Sequence, residues 1–148
     1  MRIFIDGDGS PVKAETIALA GEFGLSVVIV TSVDHYTTKE YPAFVSFVYV
    51  DQGNDAADYK IVSLIQAGDL LITQDYGLAS LVLNKKVRVF HQSGKEYTPA
   101  TIDQMLEQRY HSGKMRQAGV RTKGPKAFTN AERQAFCQQL RAALSEKL

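Results

Sequence analysis

The fold is decided by the stretch between residues 2 and 11, Arg2-Ile-Phe-Ile-Asp6-Gly-Asp8-Gly-Ser10-Pro11. Its first four residues are a short apolar run with β-branched members, which predicts a buried strand. Ser10 is predicted to cap the following helix and Pro11 to occupy its first turn, where no N–H donor is needed. Two carboxylates therefore lie on a tight turn at the end of a strand. In parallel α/β sheets this edge is where ligands bind.

The rest of the chain predicts an α/β fold with three layers around a mostly parallel, five-stranded, Rossmann-like sheet. Further apolar runs predict strands at residues 25–30, 44–50, 69–73 and 87–90. Helical patterns cover residues 12–23 and 76–83. A further helical segment lies between them and is predicted to begin at a cap formed by Asn54 or Asp55. If the winding direction changes after the third strand, the first and fourth strands are neighbours. Their crevice would then hold Asp6, Asp8 and Asp75, with Asp55 and Asp58 at its rim.

Length and composition predict one domain over residues 1–148, with a core at about 1–95 and a basic helical extension at about 96–148. The chain has 148 residues, 45% of them hydrophobic, which is enough for one full core. The extension contains a helix from Pro99 to about Tyr110 and a last helix that starts at a capping box, Thr129 to Glu132. No leader or long apolar run is present, which predicts a cytoplasmic protein without a membrane segment. The sequence does not indicate an oligomeric state.

Charge is divided unevenly along the chain. Residues 1–80 carry 4 Lys or Arg and 11 Asp or Glu, a balance of −7, whereas residues 81–148 carry 13 and 5, a balance of +8. Such asymmetry is typical of an acidic site served by a basic, substrate-holding surface, although opposite surfaces that neutralise each other would give the same count.

The five aspartates predict a site for Mg²⁺ or Mn²⁺. Like charges held close together raise carboxylate pKa values, so a compact cluster calls for a cation. Hard oxygen ligands favour Mg²⁺ or Mn²⁺ over zinc, and the three histidines are scattered without zinc-ligand spacing. A metal that faces a basic surface suits phosphodiester hydrolysis. We expect Asp6 and Asp75 to be metal ligands, and Asp8, Asp55 and Asp58 to be ligands or to act through water.

Four motifs, in order, resemble the YaiI/YqxD family of uncharacterised bacterial proteins, which is related to PIN-like nuclease domains. They are Ile5-Asp-Gly-Asp-Gly-Ser-Pro-Val-Lys13, Gly53-Asn-Asp-Ala-Ala-Asp58, Gly68-Asp-Leu-Leu-Ile-Thr-Gln-Asp75, and Arg116-Gln-Ala-Gly119 with Lys123-Gly-Pro125. The resemblance covers nearly the whole chain and implies a PIN-like fold and a metal-dependent nuclease, a hydrolase, that acts on RNA in preference to DNA. It matches Asp6, Asp55, Asp58 and Asp75 with the acids of PIN domains.

The chain departs from the family pattern in two places. Gly9 and Ser10 stand where the family usually has Ala and Cys, so a thiol is absent while the carboxylates are intact. Lys123 stands where a glycine is common. We expect nucleic acid as the partner, with contacts from the residues Lys13, Ser10, Arg116, Arg121 and Lys123.

Two other functions stay open. Asp6-Gly-Asp8 resembles the start of haloacid-dehalogenase-type phosphatases, in which the first Asp attacks phosphorus and the second transfers a proton. In those enzymes the metal acids come late in the chain, after a lysine, whereas here they come early. A non-catalytic PIN-like module that binds nucleic acid or a protein is the other alternative, and its basic stretch would make binding strongly salt-dependent.

Overall fold

The computed structural model describes residues 1–53, 55–104 and 127–147 of the chain. Its centre is a six-stranded sheet in the order β3-β2-β1-β4-β5-β6. The strands are β1 (Arg2–Asp6), β2 (Ser26–Ser32), β3 (Val45–Val50), β4 (Leu70–Ile72), β5 (Arg88–Phe90) and β6 (Glu96–Tyr97). The winding direction does change after the third strand, which the sequence left as a condition, because β1 pairs in parallel with both β2 and β4.

The prediction of five strands missed β6. This strand has only two residues, and it pairs antiparallel with β5 after a tight turn at residues 91–95. Two residues are too few to produce a periodic pattern, so only the pairing reveals the strand.

Helices cover both faces of the sheet, which confirms the three-layer α/β architecture. They are α1 (Lys13–Phe23), α2 (Ala56–Leu64), α3 (Tyr76–Leu83) and a C-terminal helix (Asn130–Lys147). Residues 99–104 are also helical. The capping box is confirmed, since the Glu132 N–H donates to the Thr129 hydroxyl and the Thr129 N–H donates to the Glu132 carboxylate. No helix among the described residues is long and apolar enough to cross a membrane.

Alternation along β1 divides the core into two clusters. Ile3 and Ile5 face α1 and the C-terminal helix, whereas Phe4 faces α2 and α3. All three are completely buried. The C-terminal helix adds the buried residues Phe136, Leu140, Ala143 and Leu144 to the first cluster, so the core extends well beyond residue 95.

The expected cap of α1 is wrong. Val12, not Ser10, occupies the N-cap position, and no side chain caps this helix. Val12 is completely buried under the sheet, and its packing fixes where the helix begins. Pro11 stays outside the helix, and its carbonyl accepts a hydrogen bond from the Arg133 guanidinium of the C-terminal helix at 2.7 Å.

Candidate functional site

Two neighbouring parallel strands bring the first pair of acids together. β1 ends at Asp6 and β4 ends at Ile72, with Ile5 opposite Ile72. Thr73 links the two turns: its hydroxyl donates to the Asp6 carboxylate at 2.9 Å and accepts from the Asp75 N–H at 2.9 Å. The acid of the first turn and the backbone of the second are therefore held by one buried hydroxyl group.

Asp75 also shapes the start of α3. Its Oδ1 accepts from the N–H groups of Gly77 and Leu78, at 2.9 and 3.2 Å. A carboxylate at this end of a helix satisfies free N–H groups and interacts favourably with the helix dipole. Asp75 is consequently fixed in position by its own helix, with both cap bonds on one oxygen.

The pKa of Asp6 is raised above its ordinary value. Burial of the carboxyl group is the largest cause, and the charges of Asp75 and Asp8 act in the same direction. The hydrogen bond from Thr73 opposes these effects by stabilising the charged form.

Among these aspartates, Asp58 has the most strongly raised pKa. Its pKa is raised to about 6, first by burial, then by the charges of Asp75, Asp6 and Asp55, and last by its interaction with the Asp75 carboxyl group. Asp58 lies in the first turn of α2 and is half-buried. The predicted convergence of acids from three separate segments of the chain is therefore seen in the mutual repulsion of Asp6, Asp58 and Asp75.

Asp55 and Asp8 lie at the margins of this group. Asp55 occupies the N-cap position of α2, but its exposed side chain makes no capping hydrogen bond. It lines an open cleft of about 530 Å³ together with Asp58 and Asp75. Asp8 turns toward β2, where its Oδ1 accepts from the Thr31 hydroxyl and from the Ser32 N–H.

A smaller cleft lies beside the open one, and Gln74 lines both. Asp6, Asp8 and Ser10 line this smaller cleft, together with the neutral residues Ile72, Thr73 and Gln92. The Ser10 hydroxyl is buried there, and no described group hydrogen-bonds to it. No Lys or Arg from the described parts of the chain lines either cleft.

Glycines allow the first turn to lie against β2. A Cβ at Gly7 would come within 2.8 Å of the Ile29 side chain and 3.0 Å of the Val30 carbonyl oxygen. Gly9 has a φ of +77°, a conformation that other residues adopt only with strain. The two glycines of this motif are thus steric requirements of the turn.

The basic residues predicted to bind substrate are not brought to the acids by the described structure. Lys13 starts α1, is half-buried and lines neither cleft. Arg116, Arg121 and Lys123 lie outside the described residues. Their roles stay predictions.

Sequence reasoning missed Thr73, Gln74 and Gln92 as residues of the site. Thr73 and Gln74 follow β4 directly, and Gln92 follows β5, so all three stand at the same sheet edge as the acids. Their positions just after strands were the available signal, but neutral polar residues are too common in turns to stand out.

Comparison with known proteins places this chain in a family. The family model described as "Uncharacterized BCR, YaiI/YqxD family" matches residues 4–146. The chain belongs to the YaiI/YqxD family. A UPF0178 protein of Enterococcus faecalis is 66% identical over 140 residues, which cover 95% of each chain. One from Oceanobacillus iheyensis is 49% identical over 138 residues, covering 93% of this chain and 94% of the relative. No solved structure matches the chain.

Proposed function

We propose that this member of the YaiI/YqxD family is a divalent-metal-dependent nuclease that hydrolyses phosphodiester bonds. The observation that carries the proposal is the convergence of aspartates from three segments of the chain: Thr73 joins the turns of Asp6 and Asp75, and Asp55, Asp58 and Asp75 line one open cleft. The raised pKa of Asp58, to about 6, agrees with this crowding of acids. Such a cluster of carboxylates destabilises the fold unless a cation or protons neutralise it. Strongly perturbed groups in a cleft are typical of functional sites.

The donor set fits Mg²⁺ or Mn²⁺ by its chemistry, since it consists of carboxylate oxygens. Asp6 and Asp75 are the proposed ligands, with Asp8, Asp55 and Asp58 acting directly or through water. Among the described residues no three such groups already stand at metal-binding distance, so a site with three protein ligands requires side-chain rearrangement, whereas one or two carboxylates with water do not. When bound, such an ion lowers the pKa of the attacking water and stabilises charge on the phosphate.

The substrate proposal rests on resemblance and on charge. RNA is placed before DNA because of the resemblance to PIN-like nuclease domains. The balance of +8 in residues 81–148 supports a surface that neutralises phosphates. Within it, Arg116, Arg121 and Lys123 are the proposed backbone contacts, together with Lys13 and Ser10 near the first turn.

Cleavage of matched single-stranded RNA and DNA oligonucleotides, with and without Mn²⁺, tests the proposal. We expect cleavage that requires the ion and falls at least about 100-fold in Asp6→Asn and in Asp75→Asn, as with loss of other key groups for charge stabilisation. Asp103→Asn is the matched control, because Asp103 is exposed and lines neither cleft. If the two site variants cut as well as wild type, the proposed site is wrong.

The same variants distinguish the nuclease from a non-catalytic binding module, which the basic half of the chain also favours. Binding of an oligonucleotide or a partner protein that survives chelator and both substitutions, without any cleavage, would favour the module. A phosphatase of the haloacid-dehalogenase type would instead hydrolyse a small phosphate monoester. Its chemistry calls for a cation at the phosphoryl group, and none of the described residues that line the clefts is Lys or Arg.

A further inference from the structure

β3 forms one edge of the sheet, and half of its backbone groups face away from β2. The Phe44 carbonyl accepts from the Val27 N–H at 2.9 Å, so it points toward β2. Alternation along a parallel strand then turns the N–H and C=O groups of Ser46 and Val48 inward, and those of Phe47 and Tyr49 outward. The outward Val45 N–H is already bonded to the Pro42 carbonyl at 3.0 Å.

Within the strand itself, β3 lacks the features that keep sheet edges from pairing. The sequence of β3, Val-Ser-Phe-Val-Tyr-Val, contains no charged residue, and it has no proline. Exposed edges of natural sheets are usually protected by charges, proline, bulges or very short strands. The opposite edge of the sheet follows this rule, because β6 has only two residues and one of them is Glu96.

Exposed apolar side chains flank the same edge. Tyr36, in the connection from β2 to β3, is 68% exposed, and Tyr59 on α2 is 74% exposed. The Tyr36 ring contacts the Tyr49 ring, with 5.2 Å between centroids. Tyr59 lines an open groove of about 520 Å³ between β3 and α2. Asp51 and Lys60 line the same groove. In a symmetric dimer, these opposite charges of one copy are complementary to those of the other.

We propose that β3 pairs antiparallel with β3 of a second copy of this chain, about a twofold axis at Val48. The two sheets then become continuous, and Tyr59 of each copy lies beside the groove of the other. The same surface on both subunits makes the contact, as in most twofold dimers. The acid cluster takes no part in this interface, so the inference does not depend on the proposed function.

Hydrogen bonding determines the register. With the axis at Val48, Phe47 of one copy lies opposite Tyr49 of the other, and every outward N–H and C=O of both residues is satisfied. With the axis at Phe47, the Tyr49 carbonyl would need the Val45 N–H, which Pro42 already occupies. The proposed register also places aromatic side chains opposite each other, a favourable cross-strand pair.

A register-specific disulfide tests the pairing directly. The background is Cys137→Ala, which removes the only cysteine of the chain. Residues at the twofold axis form a non-hydrogen-bonded pair with Cα atoms about 4.5 Å apart, within the range of a disulfide. Val48→Cys should therefore form a disulfide dimer with oxidised glutathione at least about 10-fold faster than Ser46→Cys, which faces Val50 in this register. Equal rates, or no dimer from Val48→Cys, would overturn the proposal.

The wild-type chain provides a second measurement. Its mass by light scattering should be twice 16.4 kDa at high concentration and fall on dilution. A mass of 16.4 kDa at every concentration contradicts the pairing. If the circular dichroism spectrum shows that Val48→Cys does not fold like the wild type, a mixture of Ser46→Cys and Val50→Cys chains is used in its place. This mixture should cross-link faster than either chain alone, and failure to do so overturns the register.

Discussion

Asp69 and Asp6 belong to opposite ends of the same pair of strands, and their surroundings are opposite in kind. Asp69, just before β4, is 6% exposed and accepts from the Arg2 N–H at 3.0 Å, the Arg2 guanidinium at 3.1 Å and the Gln66 N–H at 2.9 Å. Asp6, the last residue of β1, has one hydroxyl donor and lies near the acids Asp8, Asp58 and Asp75. The hydrogen bonds at the amino ends of these strands stabilise the fold, whereas the acids at the carboxyl ends repel one another.

The same residue type therefore serves different purposes at the two edges. Charge-assisted hydrogen bonds satisfy Asp69 within the protein, so no further ligand is needed there. At Asp6 the neighbouring acids raise the pKa, and a cation would relieve the repulsion. This contrast separates an acid that maintains structure from acids that are candidates for function.

The largest expected effect is stabilisation by a metal at one edge only. Mn²⁺ at about 100 times its Kd should raise the free energy of unfolding by about 2.7 kcal/mol, because it binds the folded state. Thermal or urea unfolding with and without Mn²⁺ measures this increment. Asp6→Asn and Asp75→Asn should lose it, and Asp69→Asn should keep it. An increment that survives in Asp6→Asn and Asp75→Asn would place the ion elsewhere.

The second-largest effect is the change in the free energy of unfolding when Asp is replaced by Asn at the amino or the carboxyl edge of the strands. Asp69→Asn should lower the free energy of unfolding by about 2 kcal/mol, since the amide group cannot accept from all three donors around it. Asp6→Asn, without metal, should raise it by about 1 kcal/mol, because it removes a repelled charge and can still accept from Thr73. Urea unfolding of the two variants measures both changes in the free energy of unfolding. Changes of the same sign would contradict the contrast between the edges.

The smallest effect is a pH dependence caused by Asp58. Its pKa is about 6 in the folded state, against an ordinary value of 3.8, so between these values the folded protein holds more protons than the unfolded chain. Stability should therefore fall as pH rises through this window and then level off. Solvent around this half-exposed group limits the loss to about 1 kcal/mol or less.

Urea unfolding across this pH window, without metal, measures the slope. Asp58→Asn should flatten it, and Asp103→Asn, at an exposed position away from the clefts, should leave it unchanged. An unaltered slope in Asp58→Asn would assign the titration to another group.

Local sequence patterns were enough to predict most of the fold. Apolar runs identified five of the strands, because a buried strand needs consecutive apolar residues. The alternation of strands and helices predicted the parallel sheet, whereas the reversal of winding, which places Asp6 and Asp75 at one sheet edge, was only a condition until the pairing of β1 with β4 was seen. The order of the motifs along the chain also indicated the family that the comparisons show.

Details that depend on contacts between distant residues could not be predicted in this way. Asp8 turns to Thr31, which is 23 residues away, because the first turn packs against β2. Ser10 looked like a helix cap, yet the burial of Val12 moves the start of α1 beyond it.

The sequence by itself determined five of the six strands and which acids follow them, since these properties depend on neighbours along the chain. Only the tertiary structure decided which acids repel one another, that Asp69 is neutralised by Arg2, and that the C-terminal helix completes the core. The reason is physical: a carboxylate has the same intrinsic pKa in every sequence, and packing alone decides whether a donor, a like charge or water surrounds it.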